Sequence, residues 1–358
     1  MASTTSLYDL HINLGAKMVE FAGHLLPIQF PSGIIKEVHH CRHSAGLFDI
    51  SHMGQIAFSL RALPELSMLL ASDLSSLQTG KQIYSVLTNE QGGIVDDVIL
   101  TQLSSSLLLI VNGACKQKDI EHLSTHLSPK SRLELLSDRA LLALQGPLSA
   151  QVMSKLCPQA CELNFMNALE TKINNWPCII SRSGYSGEDG FEIAIANEDA
   201  AALAELLLSF DVVMPIGLGA RDILRLEAGL SLYGQELSET ISPVEAGLSW
   251  LLNKEGRFLG IDKIASQFTN GAERKKVALL VDGKIPVRAG AIIQNSDGKE
   301  VGYITSGVYS PTLNKPIALA LIENNQSQNE HFIAKIRQHK INLHKTTLPF
   351  VPHRYHRG

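Results

Sequence analysis

The chain has 358 residues, of which 45% are hydrophobic and 18% charged, so it is globular and long enough for about two to three domains. The formal net charge of -4 gives no reason to expect nucleic acid as a partner. No apolar run has the length of a bilayer span, and the first ten residues lack the features of a secretory signal. We therefore expect no membrane association and a cytoplasmic protein with five reduced cysteines.

The first part of the chain mixes short helices with strands. Apolar periodicity predicts helices over 33–45, 63–70 and 117–127, and strands over 84–87, 95–103 and 107–111. The glycines of residues 88–93 predict a hairpin loop between the first two strands. Residues 49–54 are expected to form a turn that leads into a further strand.

The second part of the chain continues the mixture and then changes texture. The same patterns predict strands over 140–144 and 178–181, and helices over 149–156, 198–210 and 220–228. From Lys275 onward, short apolar runs alternate with Gly and Asp-Gly turns. This texture is typical of a separate all-β domain.

Two adjacent carboxylates, Asp96 and Asp97, open the apolar strand that follows Gly92 and Gly93. Because successive side chains of a strand point to opposite faces, at most one of the two can point into a given cavity. The residues leave two interpretations open. Both aspartates cap the Gly-Gly turn, or one of them serves a functional site.

Glu192 is the most informative acidic residue of the chain. It stands between Phe191 and Ile193 and follows a loop in which Tyr185 is flanked by glycines. In a strand, Glu192 points away from its two apolar neighbours, so it either meets water or lines a cavity. A carboxylate in a cavity needs a partner with matching donors. Tyr185 is either a turn aromatic packed on the core or a wall of that cavity.

The segment 217–222 places Arg221 and Asp222 beside small residues at the start of a predicted helix. Asp222 suits the first turn because of the helix dipole. Arg221 either pairs with a surface carboxylate or meets a ligand that approaches the small neighbours closely.

Several well-known motifs are absent. The third glycine of a dinucleotide fingerprint would fall at Asp222, and no phosphate-binding P-loop exists. His39 and His43 can share a helix face, but two histidines without a third ligand make a poor metal site, so we expect no metal. The short basic cluster 274–276 is interpreted as solvated surface.

Along nearly its full length, the chain resembles the aminomethyltransferases of the glycine cleavage system, known as the T-protein family. Many separate blocks match in order, which is far more specific than any single motif. The matching blocks are 14–19, 21–23, 46–54, 84–86, 92–97, 144–147, 185–193, 217–222, 225–229, 232–236, 243–250 and 305–307.

The resemblance implies an α+β fold with three domains around a central folate-binding hole. The first domain is expected to be discontinuous, over 1–52 and 141–250, and to bind folate. The second, over 53–140, is expected to carry the acidic catalytic residue. The third, over 260–358, is expected to be a barrel-like β domain.

The resemblance also implies the reaction. The lipoyl arm of H-protein carries an aminomethyl group on sulfur, and the enzyme passes the one-carbon unit to tetrahydrofolate. The products are methylenetetrahydrofolate, ammonia and the dihydrolipoyl arm. The expected partners are therefore lipoylated H-protein and tetrahydrofolate.

The family pattern assigns roles to individual residues. Asp97 is the expected catalytic acid, and Glu192 is expected to accept the ring N–H and the amine of the pterin together. At an ordinary pKa of about 3.9, Asp97 would be a weak general base at neutral pH, so its expected role is electrostatic. The other positions expected to bind folate or to lie near the reacting end are Met53, Tyr84, Asn112, Tyr185 and Arg221. Arg288 matches a basic position expected to meet the folate tail or H-protein.

Two alternative functions remain at this stage. One is a related folate enzyme that accepts its one-carbon unit from a different donor. The other is a folate-binding iron–sulfur assembly factor, which is not an enzyme. That branch carries a cysteine in the stretch matching 183–188, where this chain has none.

Overall fold

The structure is a computed structural model, and it describes residues 2–336 and 339–358. The helices are α1 Tyr8–Asn13, α2 Ile34–His43, α3 Leu63–Leu66, α4 Lys116–His126, α5 Ser149–Leu156, α6 Asn197–Leu208, α7 Leu218–Glu227 and α8 Ile261–Asn270. The first ten strands are β1 Ser3–Thr4, β2 Lys17–Phe21, β3 His24–Gln29, β4 Ala45–Asp49, β5 Gly54–Ser59, β6 Gln82–Thr88, β7 Ile94–Gln102, β8 Ser106–Val111, β9 Glu134–Leu135 and β10 Arg139–Gln145. The others are β11 Asn167–Ile173, β12 Trp176–Arg182, β13 Gly190–Ala196, β14 Val213–Pro215, β15 Arg274–Val281, β16 Ile292–Gln294, β17 Glu300–Ser310, β18 Lys315–Glu323, β19 His331–Ile336 and β20 His339–Thr346.

These strands form four sheets. A six-stranded sheet has the order β11-β12-β13-β10-β4-β14, and a five-stranded sheet has the order β6-β7-β8-β5-β9. The first three strands of the chain form a small sheet of their own, β1-β3-β2. The remaining six strands close into a barrel in the order β15-β18-β17-β16-β19-β20. The predicted mixed fold with a barrel-like C-terminal part is therefore confirmed.

The six-stranded sheet is held by a central pair of antiparallel strands, β10 and β13. Strand β10 is buried along most of its length, as expected for an apolar run covered on both faces. Helices α5 and α6 cover one face with the apolar cluster that contains Phe191 and Ile193. On the other face, α2 and α7 pack over a second cluster that contains Val38 and Leu224.

The five-stranded sheet carries the pair Asp96 and Asp97 on β7. The turn that precedes β7 packs closely against the loop 229–248, because the position of Gly93 has no room for a side chain. A Cβ there would lie 1.8 Å from the backbone oxygen of Glu239. The Ile94 N–H also donates to the Ser238 oxygen at 3.0 Å. These contacts with the loop 229–248 fix the start of β7.

Most predicted elements are present, with ends that differ by at most two residues. The helix predicted over 63–70 is wrong in length, because the α-helix ends at Leu66 and its continuation folds over the sheet. Strands β2, β3, β11 and β14 are absent from the prediction because their patterns are short or interrupted by polar residues. The predicted domain boundaries stay a prediction.

Two further properties concern the whole chain. All five cysteines are free thiols, as predicted. In the parts of the chain that the structure describes, no helix combines the length and the apolar character needed to cross a bilayer.

Candidate active site

A central cavity of about 1800 Å³ lies where the sheets meet. It is larger than a typical small-molecule pocket, so it has room for a ligand of folate size and part of a second one. Every predicted site residue lines it, although these residues come from distant parts of the chain. They are Met53, Tyr84, Asp97, Asn112, Tyr185, Glu192, Arg221 and Arg288.

The pair Asp96 and Asp97 divides as the strand geometry requires. On β7, the Asp96 side chain is fully buried on the face away from the cavity, whereas Asp97 is half-buried and lines the cavity. The hairpin turn is held by Asn89, whose side chain accepts the backbone N–H of Gln91 and that of Gly93. The interpretation in which both aspartates only cap the turn is therefore wrong.

Asp97 is held by two polar side chains of the cavity wall. Its Oδ1 accepts the side-chain amide of Asn112 at 2.8 Å, and its Oδ2 accepts the Tyr84 hydroxyl at 3.1 Å. Burial, and then the neighbouring charge of Asp96, raise the pKa of Asp97 to about 7. The expected ordinary pKa near 3.9 is therefore not retained, because burial of Asp97 depends on the assembled sheets and is not visible in a local sequence pattern. At neutral pH, Asp97 can therefore both carry charge and exchange a proton.

Glu192 occupies the predicted face of its strand. Its neighbours Phe191 and Ile193 are buried in the core, and the carboxylate lines the cavity. The hydroxyl of Ser183 donates to its Oε2 at 2.7 Å. Burial raises the pKa of Glu192, while Ser183 and the charge of Arg221 partly oppose that rise. The other oxygen remains available to a ligand with N–H donors.

Arg221 faces Tyr185 across the cavity wall. Its guanidinium carbon lies 4.8 Å from the centre of the Tyr185 ring, within the range of a cation–π contact. Burial lowers the pKa of Arg221. The Tyr185 hydroxyl donates to the Ser231 backbone oxygen, so the ring has a fixed orientation. Tyr185 is therefore a wall of the cavity, and the interpretation as a core-packing aromatic is wrong.

A buried network supports the Tyr185 loop from behind. The guanidinium of Arg42 donates to Glu188 and to Glu227, each at 2.6 Å. It also donates to the Ser186 backbone oxygen at 2.8 Å. From the C-terminal tail, Arg354 adds a further contact to Glu188 at 2.6 Å. Sequence analysis missed this network because nothing local links a helical arginine to a loop about 145 residues away.

Asn112 and Met53 complete the wall near Asp97. The buried Asp96 carboxylate accepts the backbone N–H and the side-chain amide of Asn112, both at 2.9 Å. The position of the amide beside Asp97 is therefore set by the buried partner. Met53 lies on the same cavity surface just before β5.

Trp250 and Lys276 are among the cavity residues that were not predicted. Trp250 is exposed and stacks on Tyr84, with ring centres 6.2 Å apart. Lys276 lines the cavity and donates to the Ser231 hydroxyl at 2.7 Å. Burial, opposed by nearby acids, lowers the pKa of Lys276 to about 8. The interpretation of 274–276 as solvated surface was wrong for Lys276, and strand alternation was the signal that could have revealed it.

The barrel also contributes Arg288, which is exposed at the cavity and donates to the Gly307 backbone oxygen at 3.3 Å. No group of three or more His, Cys, Asp or Glu residues suited to a metal occurs among the described residues.

The comparisons with known proteins agree with this geometry. The family description "GCVT N-terminal domain" matches residues 7–256, and "Glycine cleavage T-protein C-terminal barrel domain" matches residues 274–352. The chain belongs to the glycine cleavage T-protein family. The predicted resemblance is thus confirmed.

Named relatives cover nearly the whole chain. The mitochondrial aminomethyltransferase of Mesembryanthemum crystallinum is 39% identical over 99% of this chain and 90% of its own length. That of Dictyostelium discoideum is 39% identical over 98% of this chain and 93% of its own length. The crystal structure of the glycine cleavage system aminomethyltransferase T from Bartonella henselae superposes with a TM-score of 0.95 at 38% identity. It covers 99% of this chain and 100% of that one.

Proposed function

We propose that this T-protein family member transfers the one-carbon unit of an S-aminomethyl-dihydrolipoyl arm, carried by H-protein, to tetrahydrofolate. The C–S bond to the arm and the C–N bond to the amino group break, and two bonds from the carbon to folate nitrogens form. Ammonia and the dihydrolipoyl arm leave. The observation that carries the proposal is the convergence of Asp97 and Glu192, from different sheets, on one large cavity.

The residues present fit a folate. Glu192 has a free oxygen beside the one that binds Ser183, so it can accept two adjacent N–H groups of a pterin edge. Tyr185 and Arg221 provide a flat, cationic surface beside it. Tetrahydrofolate supplies the nucleophilic nitrogens, and the chain supplies binding, orientation and charge.

Asp97 is the group that we place at the reacting end. Its carboxylate is oriented by Asn112 and Tyr84, so it stabilises positive charge that develops as the amino group leaves. Because its pKa lies near neutrality, it also suits the uptake of a folate N–H proton and its return to a leaving group.

The proposal extends to the partners and the location. Lipoylated H-protein is proposed as the donor, and Arg288 as a contact either for the carboxylates of the folate tail or for acidic residues of H-protein. The cytoplasmic location expected from the sequence stays a prediction, and the relatives named above are called mitochondrial.

A coupled assay tests the proposal. Aminomethylated H-protein and tetrahydrofolate are mixed with the protein, and ammonia and methylenetetrahydrofolate are measured together. We expect the two products in equal amounts and none when either substrate is omitted. Folate binding by calorimetry without turnover would contradict the proposal and favour a non-enzymatic folate protein. Product formed only with a one-carbon donor other than aminomethylated H-protein would favour the relative with a different donor.

A further inference from the structure

Asp119 is a buried carboxyl group that the proposed mechanism does not yet use. It lies in the first turn of α4 and is completely buried. Among the described residues, no N–H or O–H donor reaches either of its oxygens. A first-turn acid normally stays charged because it interacts with the helix dipole at the surface. An ionised carboxylate buried without donors is costly, so that explanation does not suffice here.

The neighbour of Asp119 is a second carboxyl group, that of Asp96. The two carboxyl groups lie close enough to influence each other's ionisation, and Asp96 is also completely buried. Two carboxyl groups can form a hydrogen bond only if one of them carries a proton. Burial raises the pKa of Asp96, but the backbone and side-chain N–H groups of Asn112 that it accepts oppose this rise, whereas no such donor reaches Asp119 among the described residues. The proton therefore belongs on Asp119.

The surrounding charges agree with this assignment. Burial, and then the charge of Asp96, raise the pKa of Asp119 to about 9, and Asp97 acts in the same direction. Lys118 opposes the rise, but its ammonium group is bound to Tyr233 and Glu239 on the partly exposed side of α4. Cys115 also faces Asp96, and its thiol is protonated because burial raises its pKa.

We propose that Asp119 is a positioning residue, protonated at neutral pH, that donates its proton to Asp96 and thereby fixes the chain Asp96–Asn112–Asp97. The inference rests on the proposed function, because Asp97 is the end of that chain. The side-chain amide of Asn112 donates to both Asp96 and Asp97, so a movement of Asp96 would pull this donor away from Asp97. An ionised Asp119 would add a third negative charge and drive Asp97 to take up a proton.

Infrared spectroscopy of the protein without ligands tests the proton directly. At pH 8, Asp97 is largely ionised and Asp119 is expected to remain protonated. Because burial also raises the pKa of Glu192, the wild-type spectrum is compared with that of Asp119→Asn, and we expect their difference to contain a carboxylic-acid carbonyl band. A difference spectrum without this band would overturn the proposal. Neither folate nor H-protein is present, so this result does not depend on the proposed function.

Kinetics tests the positioning role. Asp119→Ala removes the donor, so we expect turnover to fall about tenfold, with little change in KM for tetrahydrofolate. Asp119→Asn keeps a neutral donor and should recover most of the turnover. It should also leave the midpoint of the acid limb of the pH profile unchanged. The control is Asp262→Ala, which removes an exposed first-turn acid from α8.

Each contrary kinetic outcome overturns the proposal. If Asp119 were ionised, Asp119→Asn would remove a negative charge near Asp97 and lower the midpoint by about one pH unit or more. Wild-type turnover and pH profile in Asp119→Ala would exclude a positioning role. If Asp119→Ala does not fold, the Asp119→Asn profile and the infrared band decide the question.

Discussion

Two clusters of ionisable residues lie at the cavity wall and behind it, and they are built in opposite ways. In the ion-paired cluster, defined by Arg42, Glu188 and Glu227, every carboxylate contacts a guanidinium. In the acidic cluster, defined by Asp96, Asp97 and Asp119, no cation contacts a carboxylate among the residues that the structure describes.

The difference indicates a structural role for the ion-paired cluster and a chemical role for the acidic cluster. Paired buried charges orient the Tyr185 loop and gain little from changing protonation. Unpaired carboxyl groups shift their pKa values upward, and such shifts are typical of groups that exchange protons during catalysis. The first cluster therefore holds the cavity in shape, and the second makes part of it reactive.

The largest expected effect concerns the ion-paired cluster. Arg42→Ala leaves buried Glu227 without its cation and Glu188 with Arg354 alone, so we expect the free energy of unfolding to fall by about 3–5 kcal/mol. Chemical denaturation measures the change. Lys36→Ala, an exposed lysine of the same helix, is the control and should change little. A loss below about 1 kcal/mol for Arg42→Ala would show that this cluster is not a structural support.

The next effect concerns folate binding. Glu192→Gln keeps the size of the side chain but removes the charge that strengthens hydrogen bonds to the pterin. We expect tetrahydrofolate binding to weaken by about 1.5–3 kcal/mol, measured by calorimetry. Glu198→Gln, at an exposed glutamate of α6, should bind as the wild type does. Equal affinity in both variants would contradict the role of Glu192.

A smaller effect is expected from pH. Turnover requires ionised Asp97, so it should fall as the pH drops below about 7. Stability should move the other way. The folded protein holds this proton to a higher pH than the unfolded chain does, so the contribution of Asp97 is lost as pH rises from about 4 to 7. Asp97→Asn should therefore gain stability over the wild type as the pH rises. A stability difference that does not change with pH would contradict the raised pKa.

Some residues of the site could be predicted from the sequence and others could not. Asp97 and Glu192 could be predicted because strand alternation and the family blocks fix their faces. Arg42 and Asp119 could not, because their roles depend on contacts between segments far apart in the chain. Burial, which raises the pKa of Asp97, also arises only when the sheets and the barrel assemble.

Parallel measurement of turnover and tetrahydrofolate affinity in Asp97→Asn tests the central claim most directly. The account predicts that turnover falls by about 10²–10³ while the dissociation constant stays near that of the wild type. It would be contradicted by full turnover, or by a loss of binding that accounts for the whole loss of activity.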